Sequence, residues 1–180
     1  MKLIFGKMGC GMNRICLIGF MGSGKTTVGE ALAKQLDVPW FDLDTYIVQQ
    51  TGKSISQIFS ESGERHFRKL ESLYLQKVLD EKECVISTGG GIITIPENIE
   101  KLHKEATIYL SYPFDTLYER IAGDATRPLA TSYESLKERF NSRLAYYEKA
   151  CRVKINCQGK SINYIAEEII NKISKLERIS

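Results

Sequence analysis

The chain has 180 residues, 43% hydrophobic and 26% charged, the make-up of one globular domain that can bury a core without disulfide staples. A net charge of +3 with no basic run argues against nucleic acid as a partner, and no apolar run is long enough to cross a bilayer. Five cysteines (Cys10, Cys16, Cys84, Cys151, Cys157) contain no C-x-x-C pair, and Cys16 and Cys84 sit in apolar runs where a thiol acts as a small hydrophobe; zinc and disulfide frameworks are set aside.

Residues 1–11 carry three glycines and precede a second methionine, Met12. Their apolar stretch is too short for a signal peptide, so they are expected to be a dispensable extension of a single domain spanning 12–180. A short apolar strand at 14–19 follows. It leads into Gly19-Phe20-Met21-Gly22-Ser23-Gly24-Lys25-Thr26, which fits the phosphate-loop pattern G-x-x-x-x-G-K-[ST] without a mismatch. Glycines let successive N–H groups approach an anion, Lys25 supplies a point charge, and the Thr26 hydroxyl suits Mg²⁺. A helix at 25–36 then points its positive N-terminal end at the phosphates. These features predict binding of a nucleoside triphosphate or diphosphate.

Further strands are predicted at 39–43, 84–88, 106–111 and 152–156, and helices at 54–60, 64–80, 96–102, 114–121, 133–149 and 161–176. Strands alternating with helices call for a parallel sheet covered on both faces, with ligands at the carboxyl ends of the strands. The residues at those ends are therefore the ones to weigh.

Asp42 and Asp44 are spaced to face the same way if the second strand continues through them, one for the Mg²⁺ shell and one for a substrate hydroxyl. A surface pair or a helix cap, with Asp44 as the N-cap, is the plainer alternative. Gly89-Gly90-Gly91 after Thr88 suits close approach by a ligand, or is an ordinary turn. Arg68, with Glu64 four residues before and Glu71 three after, reads on its own as an exposed ion-pair ladder. The polar stretch at 123–129 is either a plain connection or a lid that brings Arg127 to a phosphoryl group. Tyr146 and Tyr147 read as core or groove-lining aromatics, and His66 and His103 have no partner at ligand spacing.

Taken in order, the phosphate loop, Asp42-x-Asp44, Gly63-Glu64-x-x-Phe67-Arg68-x-x-Glu71, Thr88-Gly89-Gly90-Gly91, Arg120 with Arg127-Pro128-Leu129, and Arg143-x-x-x-Tyr147 resemble the shikimate kinases. That family lies within the adenylate-kinase-like branch of phosphate-loop kinases. The resemblance implies a three-layer α/β/α fold with a five-stranded parallel sheet, a mobile lid at about 122–132 and substrate-binding helices at about 43–71. It implies ATP held by Gly22, Ser23, Gly24, Lys25, Thr26, Thr27, Arg120 and Arg127. Shikimate would be held by Asp44, Arg68, Gly89, Gly90, Gly91 and Arg143, and one Mg²⁺ ion by Thr26 and Asp42. Lys25, Asp44 and Arg127 are implied as the catalytic groups of a cytoplasmic, monomeric kinase that phosphorylates the 3-hydroxyl of shikimate. The stretch 156–160, where the family contacts adenine, has no distinctive signature here.

Two other readings stay open at this stage. A gluconate or nucleoside monophosphate kinase of related fold would keep the phosphate loop and change the acceptor, against which the set Asp44, Arg68 and Arg143 argues. A nucleotide-binding module without catalysis would keep the fold alone, against which intact Lys25, Thr26, Asp42, Asp44 and Arg127 argue.

Overall fold

The apolar runs form five strands, β1 (Arg14–Ile18), β2 (Trp40–Asp42), β3 (Cys84–Ser87), β4 (Ala106–Ser111) and β5 (Val153–Asn156). They pair side by side in the order β2-β3-β1-β4-β5, parallel throughout, in a computed structural model that describes residues 14–122 and 132–176. The extension at 1–11, Cys10 and the predicted lid with Arg127 lie outside the described residues.

β1 is the central strand, and Ile15, Cys16, Leu17 and Ile18 are all fully buried. That is why it reads as continuous apolar sequence and shows no alternation: it is covered from both sides. Among the described residues seven α-helices supply the cover: α1 (Lys25–Leu36), α2 (Leu43–Thr51), α3 (Ile55–Leu79), α4 (Pro96–Lys104), α5 (Phe114–Ala122), α6 (Tyr133–Ala150) and α7 (Ile162–Leu176). α1 packs with α7, and α6 packs with α4 and α5, completing three layers. Cys16, Cys84, Cys151 and Cys157 are all free thiols.

Two segments near the second strand differ from expectation. β2 stops at Asp42, one residue short of the strand read from the apolar pattern, and α2 starts at Leu43, inside the 43–71 stretch where the resemblance implies substrate-binding helices. The cause is a cap. The Asp42 carboxylate accepts from the Thr45 backbone N–H at 3.1 Å, while Leu43 and Ile47, four residues apart, bury one face of the new helix. Asp42 is thus the N-cap, and Asp44 lies in the first turn.

The second difference is a join. α3 runs from Ile55 to Leu79, but Gly63 breaks it with φ 76° and ψ 171°. The two helices expected at 54–60 and 64–80 therefore exist as two arms about a glycine that alone tolerates that backbone. Ser54 and Gln57 close the first arm with a capping box.

Candidate active site

The turn from β1 into α1 is made by Gly22 and Gly24, both at φ 78°, with Gly24 as the helix N-cap. At Gly22 a Cβ would also press on Ile121 Cγ1 at 3.1 Å, so the loop takes a shape and a proximity that only glycine allows. The first turn of α1 is anchored from the sheet. Trp40 Nε1 donates to Ser87 Oγ at 3.0 Å, and Ser87 Oγ donates to the Lys25 carbonyl at 2.8 Å. Gly29 makes room for this relay, since a Cβ there would sit 2.7 Å from Trp40 Nε1.

Lys25 Nζ reaches back over the loop to the carbonyls of Gly19 (3.0 Å) and Phe20 (3.1 Å). Ser23 is buried and spends its N–H on the Phe20 carbonyl. A cavity of about 300 Å³ opens beside the loop, bordered by Gly22, Gly24, Lys25, Thr26 and Thr27 with Asp42 facing them. Thr26 Oγ1 donates to Asp42 Oδ2 at 2.8 Å. Arg120 meets the loop itself, its guanidinium 4.2 Å from the Tyr112 ring centre and its Nη1 donating to the Gly22 carbonyl at 3.3 Å.

A second cavity, of about 490 Å³, lies under the arms of α3 and is bordered by Arg68, Glu71, Gly91 and Arg143. The two cavities share Met21, Asp44, Gly89 and Gly90 as common wall, so one adjoins the phosphate loop and the other carries the guanidiniums. Such a cleft can hold a polyphosphate in one half and a small anionic molecule in the other. Asp44, Arg68, Gly89, Gly90, Gly91 and Arg143, singled out from four separate stretches of sequence, meet here.

The ion-pair ladder of α3 is present as well. Arg68 Nη2 pairs with Glu64 at 2.8 Å, and Nη1 pairs with Glu71. It differs from a surface ladder in burial: Glu71 is 1% exposed and the Arg68 side chain 15%. Burial pushes the Glu71 carboxyl up to about 7, against the pull of Arg68 and with help from the nearby Asp44 charge. One of its oxygens, Oε1, has no hydrogen-bond partner.

Arg143 donates to the Gly90 carbonyl at 3.2 Å, and Tyr147, one turn on, donates to the same oxygen at 2.6 Å. Tyr147 is buried, as its reading as a core or groove-lining aromatic implies, whereas Glu71, read as part of an exposed ladder, is buried as well. Both stand at helical spacing from a flagged arginine, and only burial separates them from ordinary surface or core positions. His66 and His103 stay outside both cavity walls at the strand ends.

Thr26 and Asp42 offer oxygen atoms only, beside the phosphate loop, a donor set suited to a hard cation. Among the described residues no cluster of three or more His, Cys, Asp or Glu forms an all-protein metal cage. The Thr26 and Asp42 oxygens beside the phosphate loop suit Mg²⁺, which is commonly held by one or two side chains with phosphate oxygens and water.

Known proteins agree with this geometry. The sequence model described as shikimate kinase matches residues 21–174. A shikimate kinase of Persephonella marina is 42% identical over 164 residues, covering 90% of this chain and 99% of the relative. One from Streptococcus gordonii is 44% identical over 158 residues, covering 85% and 96%. Among solved structures, shikimate kinase from Acinetobacter baumannii in complex with shikimate superposes with a TM-score of 0.85 at 32% identity, covering 92% of this chain and 94% of that one. With the loop, the paired aspartates and the arginine-lined cavity all in place, this chain belongs to the shikimate kinase family.

Proposed function

We propose that this chain transfers the γ-phosphoryl group of ATP to the 3-hydroxyl of shikimate, giving shikimate 3-phosphate and ADP. The observation that carries the reading is the shared wall of the two cavities: Asp44, Gly89 and Gly90 separate the phosphate loop from the Arg68 and Arg143 guanidiniums. The reaction breaks the bond from the γ-phosphorus to the β,γ-bridging oxygen and makes one to the acceptor oxygen, whose proton leaves. Such transfers have loose transition states, so positioning and charge stabilisation supply most of the rate.

In this reading Gly22, Gly24, Lys25, Thr26 and Thr27 hold the triphosphate and Arg120 borders the nucleotide. Ser23 shapes the loop from beneath. Arg68 and Arg143 clamp the acceptor carboxylate, each able to form a bidentate pair. Asp44 orients the attacking hydroxyl and accepts its proton late. Gly89, Gly90 and Gly91 line the acceptor floor. Arg127 belongs to the lid and meets the charge that develops on the phosphoryl group. Thr26 and Asp42 hold one Mg²⁺ ion, which neutralises phosphate charge when bound. The chain acts as a monomeric, single-domain enzyme of the cytoplasm, where ATP is supplied; among the described residues no helix is long and apolar enough to cross a membrane.

The test is ADP release from Mg-ATP with shikimate, run beside gluconate and nucleoside monophosphates. Fast release with shikimate alone is expected. Release with another acceptor in its place would refute the shikimate assignment and keep the kinase.

A further inference from the structure

The glycine turn after β3 has an unusual division of labour among its carbonyls. Gly89 O accepts from the Ile92 N–H at 3.2 Å, and Gly91 O accepts from Thr94 N at 3.0 Å and Thr94 Oγ1 at 2.7 Å. These bonds stay inside the turn. Gly90 O is committed elsewhere, to Arg143 and Tyr147 of α6. With its carbonyls engaged, the turn has its N–H groups to offer the cavity.

Gly90 is also tightly placed. A Cβ there would lie 3.3 Å from the Met21 backbone nitrogen and 3.4 Å from the Gly19 carbonyl, so the residue abuts the phosphate loop. It is held between that loop and the Tyr147 hydroxyl. Thr88 fixes the entry to the turn, donating its N–H and its hydroxyl to the Leu17 carbonyl at 3.2 and 2.9 Å. A turn of three glycines has little stiffness of its own, so these outside contacts set its shape.

Tyr147 is built as a fixed post. It is fully buried, and its ring stacks on Tyr109 of β4 with centroids 5.0 Å apart and planes 16° from parallel. Burial raises its phenol well above the ordinary tyrosine value, so the hydroxyl remains a donor at any working pH. Arg143 lies one helical turn before it on the same face, and both side chains converge on one oxygen.

We propose that Tyr147 is a positioning residue for the acceptor: by holding the Gly90 carbonyl it sets both the turn that floors the acceptor cavity and the Arg143 guanidinium that shares that carbonyl. It borders neither cavity. The inference rests on the acceptor reading above, and its consequence is selective. Losing the hydroxyl loosens the acceptor half of the cleft and leaves the α1 end of the loop, anchored by Trp40 and Ser87, as it was.

The test is Tyr147→Phe, which keeps the ring and its stack. Two readouts are needed. First, hydrogen exchange of the ligand-free chain across residues 88–95 should speed up relative to the wild type, whatever the acceptor turns out to be. Second, the KM for shikimate should rise about three- to tenfold, the loss of one neutral hydrogen bond, with the KM for Mg-ATP within twofold. A role confined to stability would lower the melting temperature and move neither KM.

Arg143→Lys supplies a further check, because both residues act on one oxygen. Combined with Tyr147→Phe it should depart by threefold or more from the product of the separate effects on shikimate KM. Unchanged exchange at 88–95, or an unchanged shikimate KM in an active enzyme, would overturn the proposal. A wild-type chain that ignores shikimate would instead overturn the acceptor reading, with the exchange result still deciding whether Tyr147 holds the turn.

Discussion

Arg68 and Gly91 contend for the same space: a Cβ built on Gly91 would lie 2.5 Å from both Cζ and Nη2 of the Arg68 guanidinium. The arginine therefore lies against bare backbone, held from its sides by Glu64 and Glu71. Gly91 is at φ −100°, so its importance lies in proximity and has nothing to do with a left-handed backbone.

Gly91→Ala should push the guanidinium aside without straining the main chain. Affinity for shikimate is expected to fall at least about tenfold, the scale of losing one charged hydrogen-bonding pair, while Mg-ATP binding stays within twofold. The sole tryptophan, Trp40, lies beside α1 and gives a fluorescence signal for both titrations. Equal loss of both affinities would mean that the site collapses as a whole.

The bond from Thr26 to Asp42 separates two jobs that one residue performs. Asp42 caps α2 through Thr45 N and Thr45 Oγ1, and it faces the phosphate loop through Thr26. Asp42→Asn keeps an acceptor for the cap and removes the charge; its melting temperature should stay near the wild type while the Mg²⁺ needed for half-maximal rate rises about tenfold. Asp42→Ala should add a loss of about 1 kcal/mol, roughly 2–4 °C in a chain of this size. If Asp42→Asn left the Mg²⁺ dependence where it was, Asp42 would be a helix cap and nothing more.

Arg127→Ala probes the proposed lid. Arginines that meet a transferring phosphoryl group are worth about 10³ or more in turnover. A decrease of that order in kcat, with shikimate affinity retained, is expected from steady-state kinetics. A change of threefold or less would remove Arg127 from the chemistry.

Much of this was legible because fixed spacing carries the chemistry. Gly19 to Thr26 dictates a loop and a helix N-terminus, and the apolar run before it a strand; all three are present. The two helical patterns at 54–60 and 64–80 were visible with a gap between them, and Gly63, in that gap, is where the backbone leaves the helix. The start of α2 at Leu43 came from the resemblance and not from the local pattern, since an apolar strand end and an apolar helix start look alike over three residues, and the Asp42 cap that decides between them is a hydrogen bond. The burial of Glu71 was illegible for another reason. Glu64 and Glu71 flank Arg68 at equivalent spacings, yet one side chain is 64% exposed and the other 1%. That difference comes from the packing of α3 against the glycine turn, which no local pattern encodes.

That burial gives Glu71 a consequence in pH. Its carboxyl sits near 7 in the folded chain and in the ordinary carboxylate range when unfolded, because burial first, and the Asp44 charge second, oppose its ionisation more than Arg68 and Arg143 favour it. Between those values the native state holds a proton that the unfolded state releases. The stability contributed is present at low pH and is lost as pH rises through about 7, in total on the order of 3 kcal/mol. Glu71→Gln should flatten this slope, so its melting temperature gains on the wild type from pH 5.5 to pH 8. Binding should follow the same proton. A neutral Glu71 leaves the Arg68 charge to an incoming carboxylate, whereas an ionised one competes for it. Shikimate affinity, read from Trp40 fluorescence, is therefore expected to weaken above pH 7 by at most about tenfold per pH unit, the limit for one proton. In Glu71→Gln that dependence should vanish. A wild-type affinity that is level from pH 6 to pH 8.5 would show that Glu71 stays in one protonation state throughout, and that Arg68 is shared between carboxylates without a proton being exchanged.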